Sequence, residues 1–105
     1  MSYIVSVTQE AKSDLRSIYC YISFELLSPE NAKGQMDRLK KAISTLREFP
    51  TRYRLMEDEP WKSRGLRTMP CDNFLIFYLV KEEKNEVIVS RVLYGKRDIA
   101  RALKE

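Results

Sequence analysis

Two helical stripes of apolar residues, separated by a hard stop, constrain this chain more than any other feature. Ala11, Leu15, Ile18, Ile22 and Leu26 recur at spacings of three and four. That spacing places them on one face of an amphipathic helix running from about residue 9 to 27. Ser28-Pro29-Glu30 then restarts the chain: Ser28 is placed to cap, Pro29 suits the first helical position, and Glu30 favours the positive helix end. Ala32, Met36, Leu39, Ile43 and Leu46 carry a second stripe to about Glu48, where Phe49-Pro50 ends it. The link between the stripes is so short that the two helices must form an antiparallel hairpin. A hairpin cannot bury both stripes alone, so something flat and apolar must cover them.

The rest of the chain supplies it. Tyr3-Ile4-Val5-Ser6-Val7 reads as a short β-branched and aromatic strand, with Thr8 placed as the N-cap of the first helix. Residues 51–63 read as a short strand or turn followed by a loop. From Arg64 the pattern is that of strands. Arg64 to Met69 alternates, Pro70-Cys71-Asp72-Asn73 marks a turn, and Phe74 to Val80 is apolar on both faces, as a covered central strand would be. Glu82-Glu83-Lys84-Asn85 is a polar hairpin loop, Glu86 to Leu93 a further strand, and Asp98 to Leu103 a final helical turn after Gly95. The order β-α-α-β-β-β predicts a two-layer α+β domain, a helical hairpin packed on a small antiparallel sheet. The first strand is left to join that sheet, with an edge as its expected place.

A chain of 105 residues suits one domain, and its 44% hydrophobic content is enough for a single core. The net charge of +4 fits an anionic partner, nucleic acid or acidic polypeptide. Residues 1–50 carry seven Lys/Arg against six Asp/Glu and residues 51–105 carry twelve against nine, so a functional basic surface belongs to the second half. With no histidine, no CxxC motif and only Cys20 and Cys71, a zinc site is not expected, nor is any other cofactor. Cys20, on the first stripe, reads as a small core residue. No secretory leader or membrane span is visible, which predicts a cytoplasmic protein with reduced thiols.

Four stretches taken together resemble the RelE/ParE superfamily of toxins. They are Thr8-x-x-Ala11-x-x-Asp14-Leu15-x-x-Ile18-x-x-Tyr21-Ile22, the helix from Ala32 through Leu46 to Phe49-Pro50, Gly65-Leu66-Arg67 with Phe74-Leu75-Ile76-Phe77-Tyr78, and Val89-x-Arg91-Val92-Leu93-Tyr94-Gly95-Lys96-Arg97-Asp98. Each is weak alone, but their order spans nearly the whole chain. The resemblance implies the toxin of a type II toxin–antitoxin system, held inactive by a cognate protein antitoxin in a hetero-oligomer. It also implies one of two targets. RelE-like members cut mRNA in the ribosome, and ParE-like members poison DNA gyrase.

RNA cleavage by 2′-OH attack needs a base, an acid and positive charge over the phosphate. The superfamily pattern implies a catalytic arginine near Leu75 and a tyrosine near Leu103, and this chain has leucine at both. Arg97, in the Gly-Lys-Arg run, is the best carry-over for a phosphate-stabilising arginine, with Arg67 and Arg91 as further candidates. Gyrase poisoning by a non-enzymatic toxin is therefore favoured, with ribosome-dependent mRNA cleavage as the alternative. A small RNA-binding module and a purely structural partner protein are the rivals outside the toxins.

Arg64 and Arg67, three apart on the expected strand, point to opposite faces, either as edge charges that block unwanted pairing or as target contacts. Arg91 is either an ion-pair partner of the hairpin or part of a basic groove. Lys96, Arg97 and Arg101 are either a charged helix end or a patch for target or antitoxin. Tyr94 is more often a packing residue than a catalyst. Trp61 is a binding anchor or a plug at the sheet end. Glu57-Asp58-Glu59 reads as a solvated loop.

Overall fold

The computed structural model describes residues 2–104. Strand β1 (Ile4–Val7) leads into helix α1 (Gln9–Cys20). Thr8 does two jobs at the junction. Its Oγ1 accepts the Ala11 amide at 3.1 Å, capping α1, and donates to the Ser90 carbonyl at 3.0 Å, fastening that cap to the sheet.

The first helix does not run straight to residue 27. At Tyr21–Glu25 it widens into a π turn, in which the Leu26 amide reaches back to the Tyr21 carbonyl at 3.0 Å. The extra residue per turn rotates the stripe. Ala11 is fully buried, but Tyr21, Phe24 and Leu26 are more than half exposed, and so is Leu27, at a φ of 51°. Cys20 lies on the exposed side just before this turn, not in the core as its place in the stripe predicted. Helix α2 (Pro29–Ser44) has Pro29 in its first turn, as expected. Ser28 makes no capping bond through its side chain; its carbonyl accepts the Ala32 amide instead. Ala32, Met36, Leu39, Ile43 and Leu46 are all buried, so the second stripe holds to its end.

Phe49, at a φ of 48°, turns the chain out of α2, and Arg52 closes the helix behind it. The Arg52 guanidinium donates to the carbonyls of Thr45, Glu48 and Phe49 and stacks on the Tyr53 ring at 4.8 Å. A cation there satisfies carbonyls that have no partner within the helix and complements the negative end of its dipole.

The sheet has the order β1-β4-β3-β2, where β2 is Arg67–Cys71, β3 Phe74–Lys81 and β4 Glu86–Tyr94. β2, β3 and β4 are antiparallel neighbours. β1 lies at the edge, as expected, but runs parallel to β4 because two helices intervene. A bulge opposite Phe77 and Tyr78 adds Ser90 to β4 and reverses which of its residues face the helices. Val87, Val89 and Val92 therefore share one core with Ile76, Tyr78 and the helical hairpin.

The opposite face is covered too. Leu75, Phe77, Leu79 and Leu93 pack beneath Trp61, Ile99, Ala102 and Leu103. The cover is made of two short helices, α3 (Trp61–Arg64) and α4 (Ile99–Lys104). The region from 51 to 66, expected as a turn and loop leading into a strand at Arg64, holds α3 instead. Gly65, at a φ of 81°, ends that helix, and β2 starts only at Arg67. Arg64 is thus helical and exposed. The short strand expected near residue 53 is reduced to a single bridge from Leu55 to Arg67. The β2–β3 turn is confined to Asp72-Asn73, with Pro70 within β2 on an edge strand, where its missing amide costs no ladder bond. Asp72 is held to α2 by Arg38 at 2.8 Å and Gln35 at 2.9 Å, and these two hydrogen bonds, Arg38 first, hold its carboxyl below the usual range. No helix among the described residues is long and apolar enough to cross a membrane.

Tyr78 ties the two halves together. Its fully buried ring sits under the hairpin and its hydroxyl donates to the Pro50 carbonyl at 2.6 Å. Burial pushes the phenol up to about 12. Its folded value lies above the ordinary 10, so this group's contribution is intact below pH 10 and is lost as pH rises from 10 towards 12. Tyr78→Phe is expected to cost about 1–2 kcal/mol at pH 7, since it strands a carbonyl. The gap between wild type and variant in urea unfolding should then shrink above pH 10. A constant gap to pH 12 would show that burial does not hold the phenol neutral.

Candidate functional site

α1 and β4 meet at an ion pair. Asp14 projects from the inner face of α1, one turn beyond Ala11, onto the strand opposite. Arg91 Nε donates to Asp14 Oδ2 at 2.7 Å and its Nη2 to Oδ1 at 3.1 Å, a two-pronged pair. The same Asp14 oxygen accepts the Val92 amide at 3.0 Å, and Arg91 Nη1 donates to the Ala102 carbonyl in α4 at 3.1 Å. Both side chains are largely buried, at 17% and 14% exposure. One pair thus joins the hairpin, the sheet and the C-terminal helix, and the Arg91 charge is matched by Asp14 rather than presented to a groove.

Beyond this pair a groove of about 660 Å³ opens between the π turn and the end of the sheet. Tyr21, Ile22 and Leu26 form one wall and Phe74 and Tyr94 the other, with Arg97 at the mouth. The Phe74 and Tyr94 rings meet edge to face at 5.9 Å, which fixes the sheet wall. The π turn is what brings Tyr21 and Leu26 to this groove rather than into the core.

The residues singled out from sequence fall into three places. Tyr94, Lys96 and Arg97 gather at the groove or just beyond it, with Arg101 exposed on α4. The Arg97 amide donates to the Tyr94 carbonyl at 3.1 Å, and the Asp98 carboxylate accepts the Arg101 amide at 3.3 Å, so this stretch has a defined backbone. Arg67 lies elsewhere: its guanidinium donates to the Tyr53 carbonyl at 2.7 Å and the Thr51 carbonyl at 3.3 Å, bracing the loop after α2. Trp61, 7% exposed, plugs the second core. Arg64 lies on α3, next to that plug in the chain. Glu57 and Asp58 are exposed, as expected of a solvated loop, while Glu59 accepts the Ser63 amide and is held below the usual carboxylate range by hydrogen bonding to Ser63.

Leu75 and Leu103 converge. Both belong to the apolar cluster between the sheet and α4. No side chain at either position can move a proton or carry charge. Asp14, Tyr21 and Phe74 were not singled out as site residues, although Asp14 and Arg91 each interrupt an apolar face, the signal that such a pair leaves in a sequence. Among the described residues no group of three or more acidic or cysteine side chains is arranged to hold a metal.

The family model for the ParE toxin of the type II toxin–antitoxin system parDE matches residues 5–99. The chain belongs to this family. No curated protein matches it in sequence. Among solved structures it is similar to a chain of the chromosomal ParDE system of P. aeruginosa, at 21% identity and a TM-score of 0.74, covering 90% of this chain and 98% of that one. A doubly substituted RelE toxin of E. coli in the free state gives 17% identity and a TM-score of 0.66, over 97% and 93%. A chain of the RelBE2 toxin–antitoxin complex of Mycobacterium tuberculosis gives 19% and 0.61, over 90% and 99%. At these identities the structures share the fold, and the family match identifies the chain as a type II toxin.

Proposed function

We propose that this toxin arrests growth by binding and poisoning DNA gyrase, and that a cognate protein antitoxin holds it inactive. The observation that carries this reading is the pairing of Leu75 and Leu103 in one apolar cluster. An RNA-cleaving member needs a cation over the phosphate and a proton donor for the leaving oxygen. At the two positions where the superfamily pattern implies them, this chain has side chains that pack α4 onto the sheet. The chain has no histidine to take over either role, and Arg91 is engaged by Asp14. What remains for function is a binding surface: an aromatic-walled groove lined by Arg97, with Lys96 next to it in the chain, Arg101 exposed on α4 and Arg64 on a separate helix. Such a surface suits recognition without chemistry, since aromatic and arginine side chains dominate binding hot spots. The antitoxin is supported by the family match and by the toxin–antitoxin complexes among the similar structures.

Pulse-labelling of DNA, RNA and protein synthesis just after induction of the toxin alone tests the target. An early fall in DNA synthesis, before protein synthesis changes, is the expected result. An early fall in protein synthesis instead would assign the ribosome as target and remove the gyrase reading. Growth that continues unchanged, with the protein soluble and folded, would remove both.

A further inference from the structure

We propose that Phe49 anchors the toxin to its protein target by entering an apolar pocket with an acidic rim, at the end of α2 away from the groove. The proposal rests on the reading above that the toxin acts by binding DNA gyrase. It adds a second contact and the chemistry of the surface that receives it.

Four described residues other than glycine adopt a positive φ. Asp72 and Asn85 are of the types that tolerate the left-handed region, because a short polar side chain can bond locally there. Leu27 and Phe49 are not. Both are large and apolar, and they are 83% and 80% exposed. Leu27 follows Leu26, which lines the groove. Phe49 stands beyond the far end of α2, at a φ of 48° and a ψ of 54°, where glycine would sit without cost. A ring so exposed gains little from burial and opposes the backbone that carries it. Backbone of this kind persists only where its surroundings hold it, and it concentrates at places that bind.

The chain around Phe49 is held on both sides. Before it, the Arg47 carbonyl accepts the Tyr3 amide at 2.9 Å, which ties the turn after α2 to the start of β1. After it, Pro50 is fully buried and its carbonyl accepts the Tyr78 hydroxyl at 2.6 Å. The Phe49 carbonyl itself accepts both the amide and the guanidinium of Arg52, each at 3.1 Å. The ring is thus presented on a fixed turn, so little loop freedom is lost when a partner takes it.

Charge points to the kind of pocket. Residues 40–52 carry four Lys or Arg, all exposed, against Glu48 alone, which is three of the chain's net +4. Comparing the two halves of the chain hides this run, because residue 50 divides it. Glu48 accepts the Ser2 hydroxyl at 2.9 Å, and Arg47 enters no ion pair among the described residues. A hollow of about 460 Å³ lies beside the ring, lined by Arg47, Glu48, Phe49 and Arg52 among others. The complement of an apolar knob set among cations is an apolar pocket rimmed by carboxylates. A lone ring also favours a folded protein over a nucleic acid, which is held by successive stacked rings. The next aromatic, Tyr53, has its face covered by Arg52 at 4.8 Å.

The test titrates full-length toxin onto purified DNA gyrase and pulse-labels cells after induction of the same variants. Phe49→Gly removes the ring and relaxes the backbone, whereas Phe49→Ala removes the ring and keeps the constraint. Both should bind gyrase about thirtyfold or more weakly and lose the arrest of DNA synthesis. Both should bind the protein encoded directly beside the toxin as wild type does, and the Tm of Phe49→Gly should be no lower than that of wild type. Arg47→Glu should slow association with gyrase by about tenfold. A variant without the ring that binds gyrase and arrests DNA synthesis like wild type overturns the anchor and leaves the gyrase reading in place. A Tm that falls in Phe49→Gly shows that the ring serves the fold, and overturns it too. Equal loss of affinity for the neighbouring protein assigns the ring to the antitoxin instead. Binding of wild type to bare duplex or single-stranded DNA that Phe49→Gly loses overturns the protein pocket in favour of nucleic acid. An unchanged association rate in Arg47→Glu overturns the acidic rim. Wild-type toxin that neither binds gyrase nor slows DNA synthesis removes the gyrase reading and this proposal together.

Discussion

Arg91→Ala is expected to cost about 3 kcal/mol of stability, on the order of 10–20 °C in Tm for a domain of this size. The reason is the carboxylate it leaves behind. Asp14 is only 14% exposed and relies on Arg91 for two of the bonds it accepts. Its remaining partner, the Val92 amide, cannot neutralise a buried charge. The Ala102 carbonyl loses its donor as well, so α4 loosens over the second core. Replacing both members, Asp14→Leu with Arg91→Leu, should recover most of the loss, because no charge is then buried. The pair also separates two roles for Arg91. A catalytic arginine would lose toxicity on substitution and keep its Tm. A structural one loses toxicity only as far as it loses fold. Thermal unfolding of the two variants and wild type beside a growth assay decides it. A single variant that melts with wild type yet fails to arrest growth would restore Arg91 as a functional group.

That ion pair also shows where sequence reading reached and where it stopped. The spacing of Ala11, Leu15 and Ile18, and of Ala32 through Leu46, specifies a hairpin because burial on one face imposes a 3.6-residue period. Phe74 to Val80 reads as covered on both sides because no polar alternation survives there. What covers the second side was less legible. α4 was placed, but α3 is one turn long, too short for any period to emerge, and its Trp61 and Gly65 carry the whole signal. The π turn was invisible for a related reason: one extra residue shifts every later position in the stripe, and nothing in Tyr21-Ile22-Ser23-Phe24-Glu25 marks it. Leu26 is displaced by that shift, whereas Cys20, ahead of the turn, is exposed because it lies two residues beyond Ile18 and so off the buried face of α1. The same shift creates the groove, so the candidate site lay where the periodic argument failed. The sequence leaves Arg91 open between pairing and groove because its partner is 77 residues away, and separation in sequence carries no geometry.

Arg97→Ala should have the opposite profile, with fold kept and activity lost. Arg97 is exposed, and the bond its amide donates to the Tyr94 carbonyl is a backbone bond that the substitution keeps. Surface changes of this kind usually stay within about 0.5 kcal/mol, so Tm should be unchanged. Target binding should fall by about thirtyfold or more, the effect of removing an arginine hot spot, and growth arrest should disappear at matched expression. Lys96→Ala and Arg101→Ala, further from the aromatic walls, should each weaken toxicity less, since a rim charge contributes chiefly to the encounter rate. If the antitoxin occupies the groove whose mouth Arg97 forms, the same substitution must also weaken the antitoxin complex, because one side chain then serves target and inhibitor. A variant that loses toxicity but binds antitoxin as wild type would separate the two surfaces. Toxicity unchanged in Arg97→Ala would place the target surface away from the groove, with Arg64 on α3 as the next residue to substitute.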